Sequence, residues 1–114
     1  MAVKIPEELL DEKGYPTEEW LQFIRNYKSE EMPIHDFLKL LVEGWQYADW
    51  GVQLSRSYKG KQKLELHTGG WSGNEETIKA ILDNFYLTHF DLKYVMWRTG
   101  GHYYFELKAK PPKN

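Results

Sequence analysis

A change of hydrophobic period at Asp49-Trp50-Gly51 constrains this chain more than any other feature. Before it, apolar residues recur at helical spacing; after it, they alternate with polar ones, as half-buried strands require. Upstream, Trp20, Ile24 and Tyr27, with Leu21 and Phe23 beside them, form one apolar stripe. Ile34, Phe37, Leu38, Leu41, Val42 and Trp45 form a second. Pro16-Thr17-Glu18-Glu19 starts the first helix with acids in its first turn, where they complement the helix dipole. Pro33 opens the next helix, since proline is tolerated at the first helical position. An acidic segment from Pro6 to Lys13, ended by Gly14, completes a helical reading of residues 1–50.

Downstream, Val52 and Leu54 alternate with Gln53 and Ser55, and Leu64 and Leu66 alternate with Lys63, Glu65 and His67. A two-residue loop at Lys59-Gly60 would set Leu54 opposite Glu65 and mix the faces, whereas a three-residue loop, Lys59 to Lys61, pairs Leu54 with Leu66. The second register is the expected one. A helix over residues 74–86 follows, with Ile78, Ile81, Leu82 and Phe85 on its apolar side. Two further strands, Phe90 to Arg98 and His102 to Lys108, meet at Thr99-Gly100-Gly101. A two-residue Gly100-Gly101 loop pairs Met96 with Phe105 and Tyr94 with Leu107, and leaves Trp97 beside Tyr104 and Thr99 beside His102 on the opposite face. Pro111-Pro112 closes the chain as a short tail.

The predicted class is α+β: N-terminal helices (1–50) followed by a ββαββ unit (51–110) with a mainly antiparallel four-stranded sheet. One sheet face packs the 74–86 helix, and the other is covered at least partly by the N-terminal helices or by a partner. A length of 114 residues suits one domain. Such a chain buries roughly 65% of its unfolded surface without metals or disulfides.

Charge and composition narrow the function classes. Fifteen Lys and Arg stand against 17 Asp and Glu, a net charge of -2 with no basic block. Nucleic-acid binding draws most of its affinity from phosphate neutralisation, so it falls down the order of readings. The same balance is far too small for an acidic mimic of DNA. With no cysteine, thiol nucleophiles, disulfide scaffolds and cysteine zinc sites drop out. No stretch approaches the ~18 apolar residues of a membrane span, so a cytoplasmic protein without a membrane partner is expected. Aromatic residues make up 16% of the chain, including 5 Trp and 8 Tyr. Each ring hides ~150–250 Å², so they either fill a small core or build a recognition surface.

The strongest local signal is the glycine-rich turn His67-Thr68-Gly69-Gly70-Trp71-Ser72-Gly73-Asn74-Glu75. Ser72 and Glu75 have capping-box spacing, in which the Ser hydroxyl accepts from the N–H of Glu75 and the Glu side chain returns to that of Ser72. Glycines at 69, 70 and 73 permit positive φ and close backbone approach, and a helix N-terminus behind them makes an anion site available. A tight strand-to-helix connection explains the same residues without a ligand. The turn is no Walker A loop, because no Gly-Lys-Ser/Thr follows, and its spacing fails the dinucleotide fingerprint.

Catalytic patterns fit poorly. Gly70-Trp71-Ser72-Gly73-Asn74 misses the nucleophile elbow by one position. His67-Thr68 resembles the motif of two-histidine phosphoesterases, but Gly69 stands where that motif needs Ser or Thr, and His102 is followed by two tyrosines. His35, His67, His89 and His102 show no metal-ligand spacing, so no metal, cofactor or catalytic residue is assigned. If the two hairpins lie side by side, His67, Glu65, His102, Tyr104 and Trp97 share one face near the glycine turn. Such a cluster can stack a planar ligand, meet a protein partner, or bed the N-terminal helices.

The glycine-turn segment, together with Gly100-Gly101-His102-Tyr103-Tyr104-Phe105-Glu106, resembles a group of small uncharacterised proteins common in bacteriophage and prophage genomes. The likeness spans about residues 64–107 and implies an origin, with no catalytic residues to carry over. It implies a host-takeover or counter-defence role, in which a small protein binds a host protein or sequesters a signalling nucleotide. The expected function is therefore non-catalytic binding of a host protein or small anionic ligand. The binding residues would be His67, Thr68, Gly69, Gly70, Trp71, Ser72, Gly73, Asn74, Trp97, His102 and Tyr104. Two alternatives stand beside it: a small enzyme acting on a nucleotide or phosphoester, and a structural module that oligomerises through its aromatics.

Overall fold

The computed structural model describes residues 4–56 and 61–108. Helices α1 (Glu18–Asn26) and α2 (Ile34–Glu43) and a helical turn α3 (Ala48–Gly51) precede strands β1 (Val52–Arg56) and β2 (Gln62–His67). Helix α4 (Ser72–Asp83) and a π-helical turn (Leu87–Asp91) then lead into strands β3 (Leu92–Arg98) and β4 (His102–Leu107). The four strands form an antiparallel sheet in the order β1-β2-β4-β3, the ββαββ arrangement that the change of period predicts. No helix among the described residues is long and apolar enough to cross a membrane.

Thr17 caps α1: its hydroxyl accepts from the N–H of Trp20 at 3.1 Å. The Pro6–Lys13 segment is not helical. Asp11 Oδ1 accepts from the N–H groups of both Lys13 and Tyr15, and Leu10 bridges Pro16, making a small hook that turns at Gly14 with φ +86°. A side-chain acceptor that captures local N–H groups in this way competes with helix formation.

The core lies between the helices and one sheet face. Trp20, Ile24, Phe37 and Leu41 pack in one cluster with Leu64, Leu66, Phe105 and Leu107 of the central strands and Ile78 and Ile81 of α4. Burying each large apolar side chain contributes about 1.5–3 kcal/mol. His35 of α2 meets Gln62 of β2 at 2.7 Å on this side. The helices thus share one face of the sheet, and the expected second covering layer is not formed by them. Within α4, the residues turned inward are Asn74, Thr77, Ile78, Ala80 and Ile81, whereas Leu82, and Phe85 beyond the helix end at Asp83, both expected on the apolar side, are exposed.

Both hairpin registers differ from expectation. Leu54 pairs with Leu64, not Leu66, a slip of two residues that keeps every side chain on its predicted face. The connecting residues 57–60, and with them most of the expected Lys59–Lys61 loop, lie outside the described residues, as does the Pro111-Pro112 tail. In the second hairpin Arg98 pairs with His102, so the loop is the three-residue Thr99-Gly100-Gly101. An irregularity at Val95 then shifts the ladder, and Tyr94 pairs with Phe105 while Met96 pairs with Tyr104. The odd offset moves Met96 to the polar face. Trp97, now opposite Tyr103, lies on the other face from His102 and Tyr104.

Asp91, at the end of the π-helical turn, is buried, and its Oδ2 has no hydrogen-bond partner among the described residues. Burial pushes its carboxyl above the usual range, against the lowering influence of Ser29 and Lys108. Tyr27, which donates to the Met32 carbonyl at 2.7 Å, is likewise raised, first by burial and then by the Asp91 charge.

Candidate functional site

Adjacency of β2 and β4 creates the site. His67 and His102 are direct cross-strand partners, and their Nδ1 atoms approach to 2.7 Å. One nitrogen must donate and the other accept, so one proton is shared and two imidazolium rings cannot keep this contact. On its other side His67 Nε2 lies 3.4 Å from Glu65 Oε1, placing carboxylate, imidazole and imidazole in sequence. Gly100 of the β3–β4 turn lies beside His102 Nε2.

Aromatic rings frame this relay. Tyr104 meets His67 edge-on at a centroid distance of 6.0 Å, and the Arg98 guanidinium stands 5.9 Å over the Tyr104 ring. Trp50 lies 5.6 Å from His67 and packs over Gly69. Trp50 carries no local sequence signal for this position, because Asp49-Trp50-Gly51 reads as a boundary and its contact to His67 is long-range.

The glycine turn is held by the fold itself. Thr68 is buried, and its N–H donates to the Gly101 carbonyl at 2.9 Å, tying the turn to the β3–β4 loop. Gly69 and Gly70 adopt φ +63° and +77°, which lets the chain reverse before α4. Asn74 points inward and joins Gln46 twice: its Oδ1 accepts from the Gln46 N–H at 3.0 Å, and its Nδ2 donates to the Gln46 carbonyl at 2.9 Å. Gly73 is buried against Pro16 and the Trp71 indole, which itself packs against Tyr15 in a tilted contact at 4.7 Å.

The predicted capping box does not form. Trp71 is the N-cap of α4, Ser72 is its first helical residue, and Glu75 N–H donates to the Trp71 carbonyl at 3.2 Å. Helix α4 starts one residue earlier than the box requires, because Asn74 and Gly73 are drawn into contact with the N-terminal half.

The expected binding residues therefore divide into three groups. His67, His102 and Tyr104 come together, with Thr68, Gly69 and Gly70 at their edge. Trp71, Gly73 and Asn74 face the N-terminal segments, while Ser72 is exposed at the helix start. Trp97 is exposed on the opposite sheet face. A cavity of about 480 Å³ lies along the outer side of α1, lined in part by Glu18, Glu19, Phe23 and Glu31, and none of the glycine-turn or histidine-cluster residues lines it.

What the cluster can do chemically follows from its shape. The relay can accept or donate a proton, its imidazoles can bond a polar group, and its rings offer flat apolar area on an open sheet. No family model matches the sequence, and comparison with curated proteins and with solved structures returns no match.

Proposed function

We propose that this chain is a non-catalytic binding protein of the phage type, acting in host takeover or counter-defence, that docks on a host protein through its sheet. One observation carries the reading: among the described residues α1, α2 and α4 occupy one sheet face, leaving the face with Glu65, His67, His102, Tyr104 and Glu106 without a helical layer apart from Trp50 beside His67. Next to Tyr104 on this face, β3 exposes Met96 at 43%, with Val95 beside it at the ladder irregularity. Aromatic and Met side chains accessible on one uncovered face, here Tyr104 and Met96, are characteristic of protein contact surfaces.

The glycine turn favours a protein partner over a small anion. Its inward residues are engaged by Gln46 and Gly101, and its glycines serve the chain reversal. The test is affinity capture from bacterial extract with the wild-type chain and with a His102→Ala/Tyr104→Ala variant, followed by hydrogen exchange on the complex. A captured protein that protects β2 and β4, and is lost with the variant, is the expected result. A raised melting temperature with a nucleotide or cyclic dinucleotide, without protein capture, would replace this reading with ligand sequestration. Turnover of such a nucleotide would demand the enzyme reading.

A further inference from the structure

The sheet has two edges, and they are unlike. β1 is short and carries Gln53 and Ser55. β3 runs over seven residues, Leu-Lys-Tyr-Val-Met-Trp-Arg, of which only Leu92 is buried. Among the described residues it pairs with β4 alone, so its outer side presents backbone donors and acceptors without a strand partner there. Tyr94, Val95, Met96 and Trp97 lie along it, each 42–53% exposed, and the π-helical turn that feeds it exposes Phe90 at 56%. A long apolar edge of this kind is a template for another strand.

The charge on this edge indicates what that strand is. β3 holds Lys93 and Arg98 and no carboxylate, and among the described residues neither cation enters an ion pair. A second copy laid antiparallel on β3 would line four cations along one seam and oppose two ladder irregularities at Val95. Flanking cations and bulges are the devices by which native edges resist self-pairing. Apolar contact area is retained while self-association is opposed. That combination fits a different chain whose strand carries carboxylates.

We infer that β3 accepts a fifth strand from a protein partner: an extended segment of alternating apolar and acidic residues, held by main-chain hydrogen bonds and by Lys93 and Arg98. Strand addition of this type takes affinity from the backbone and specificity from side chains along the edge. The inference rests on the protein-binding reading above and names the chemistry of the partner segment.

The probes are end-capped peptides alternating Val with Glu, the same peptide with Lys for Glu, and a Glu version interrupted by proline. Hydrogen exchange is followed amide by amide on the full chain. Expected is saturable protection of β3 amides by the Val/Glu peptide, with at least about tenfold weaker binding of the Lys peptide and of a Lys93→Glu/Arg98→Glu variant to the Glu peptide. The proline peptide should give no protection, and unchanged exchange in β2 and β4 would show the variant is folded. No β3 protection by any peptide up to about 1 mM overturns the inference. So does concentration-dependent dimerisation through β3 in sedimentation. If β3 stays unprotected while a captured protein shields the His67–Tyr104 face, the edge inference falls and the docking function stands. If no protein shields either surface, both fall.

Discussion

The β1–β2 and β3–β4 hairpins are built from the same parts and differ in how far their registers are tied to the rest of the chain. In the first, the observed pairing departs from the expected one by two residues, so Val52, Leu54, Leu64 and Leu66 still share the core face. In the second the departure is odd, and it carries Met96 and Trp97 to opposite faces from those expected. An even slip preserves facing and an odd one inverts it, because side chains alternate with period two. The outer strands differ as well: β1 is a short edge, while β3 leaves a row of apolar side chains open. The site lies where β4 of the second hairpin meets β2, and the proposed strand acceptor is the outer edge of that same hairpin.

The sharpest way to break this comparison is to remove the shared centre. Leu66 is fully buried, so Leu66→Ala should cost about 2–5 kcal/mol in urea unfolding. Val95→Ala on the exposed edge should stay within about 0.5 kcal/mol. Equal losses would mean that β3 is covered in the isolated chain.

The next largest effect tests the tie that sets the second register. A Cβ at Gly101 would collide with Thr68 Oγ1, and φ there is +82°, so Gly101→Ala should destabilise by about 1–3 kcal/mol. Gly70 has a similar φ of +77° but open space, so Gly70→Ala should cost only the backbone term, about 1 kcal/mol. A Gly101→Ala variant as stable as Gly70→Ala would remove the Thr68 contact as the cause of the register.

Smaller still is the comparison of two helix starts, that of α1 and that of α4, which joins the hairpins. Thr17→Ala should lose about 1 kcal/mol, while Ser72→Ala, outside the cap position, should lose only a few tenths. Denaturant midpoints of both variants decide it, and a full cap's loss at Ser72 would restore the capping box.

The last prediction concerns pH at the entry to β3. Burial raises the Asp91 carboxyl in the folded state above its unfolded value, so the native state binds that proton more tightly. The resulting stability is fully present below the unfolded carboxylate value and is lost as pH rises through the raised folded one. Asp91→Asn should remove that part of the slope, so the stability of the wild type relative to the variant should fall across this window. Parallel curves from urea midpoints at a series of pH values would refute the assignment.

Much of the fold could be read from local residues. The period change at Asp49-Trp50-Gly51, the acids and Thr17 at the start of α1, and the alternation in β2 each arise among neighbours a few positions apart. The candidate site was legible only in part. His67, His102 and Tyr104 follow from alternation once β2 lies beside β4, whereas Trp50 joins them through a contact that no local pattern encodes.

By itself, the sequence determined most of the helices and strands, Pro6–Lys13 excepted, and which residues of β2 and β4 face the core, because backbone geometry repeats every 3.6 or two residues. Tertiary structure alone decided the β3–β4 offset, the early start of α4 and the exposure of β3. Those depend on the Thr68–Gly101 bond, the Asn74–Gln46 pair and the gathering of α1, α2 and α4 on one sheet face. Each joins residues more than twenty positions apart or sums over the whole core, so it forms only when distant segments have already met.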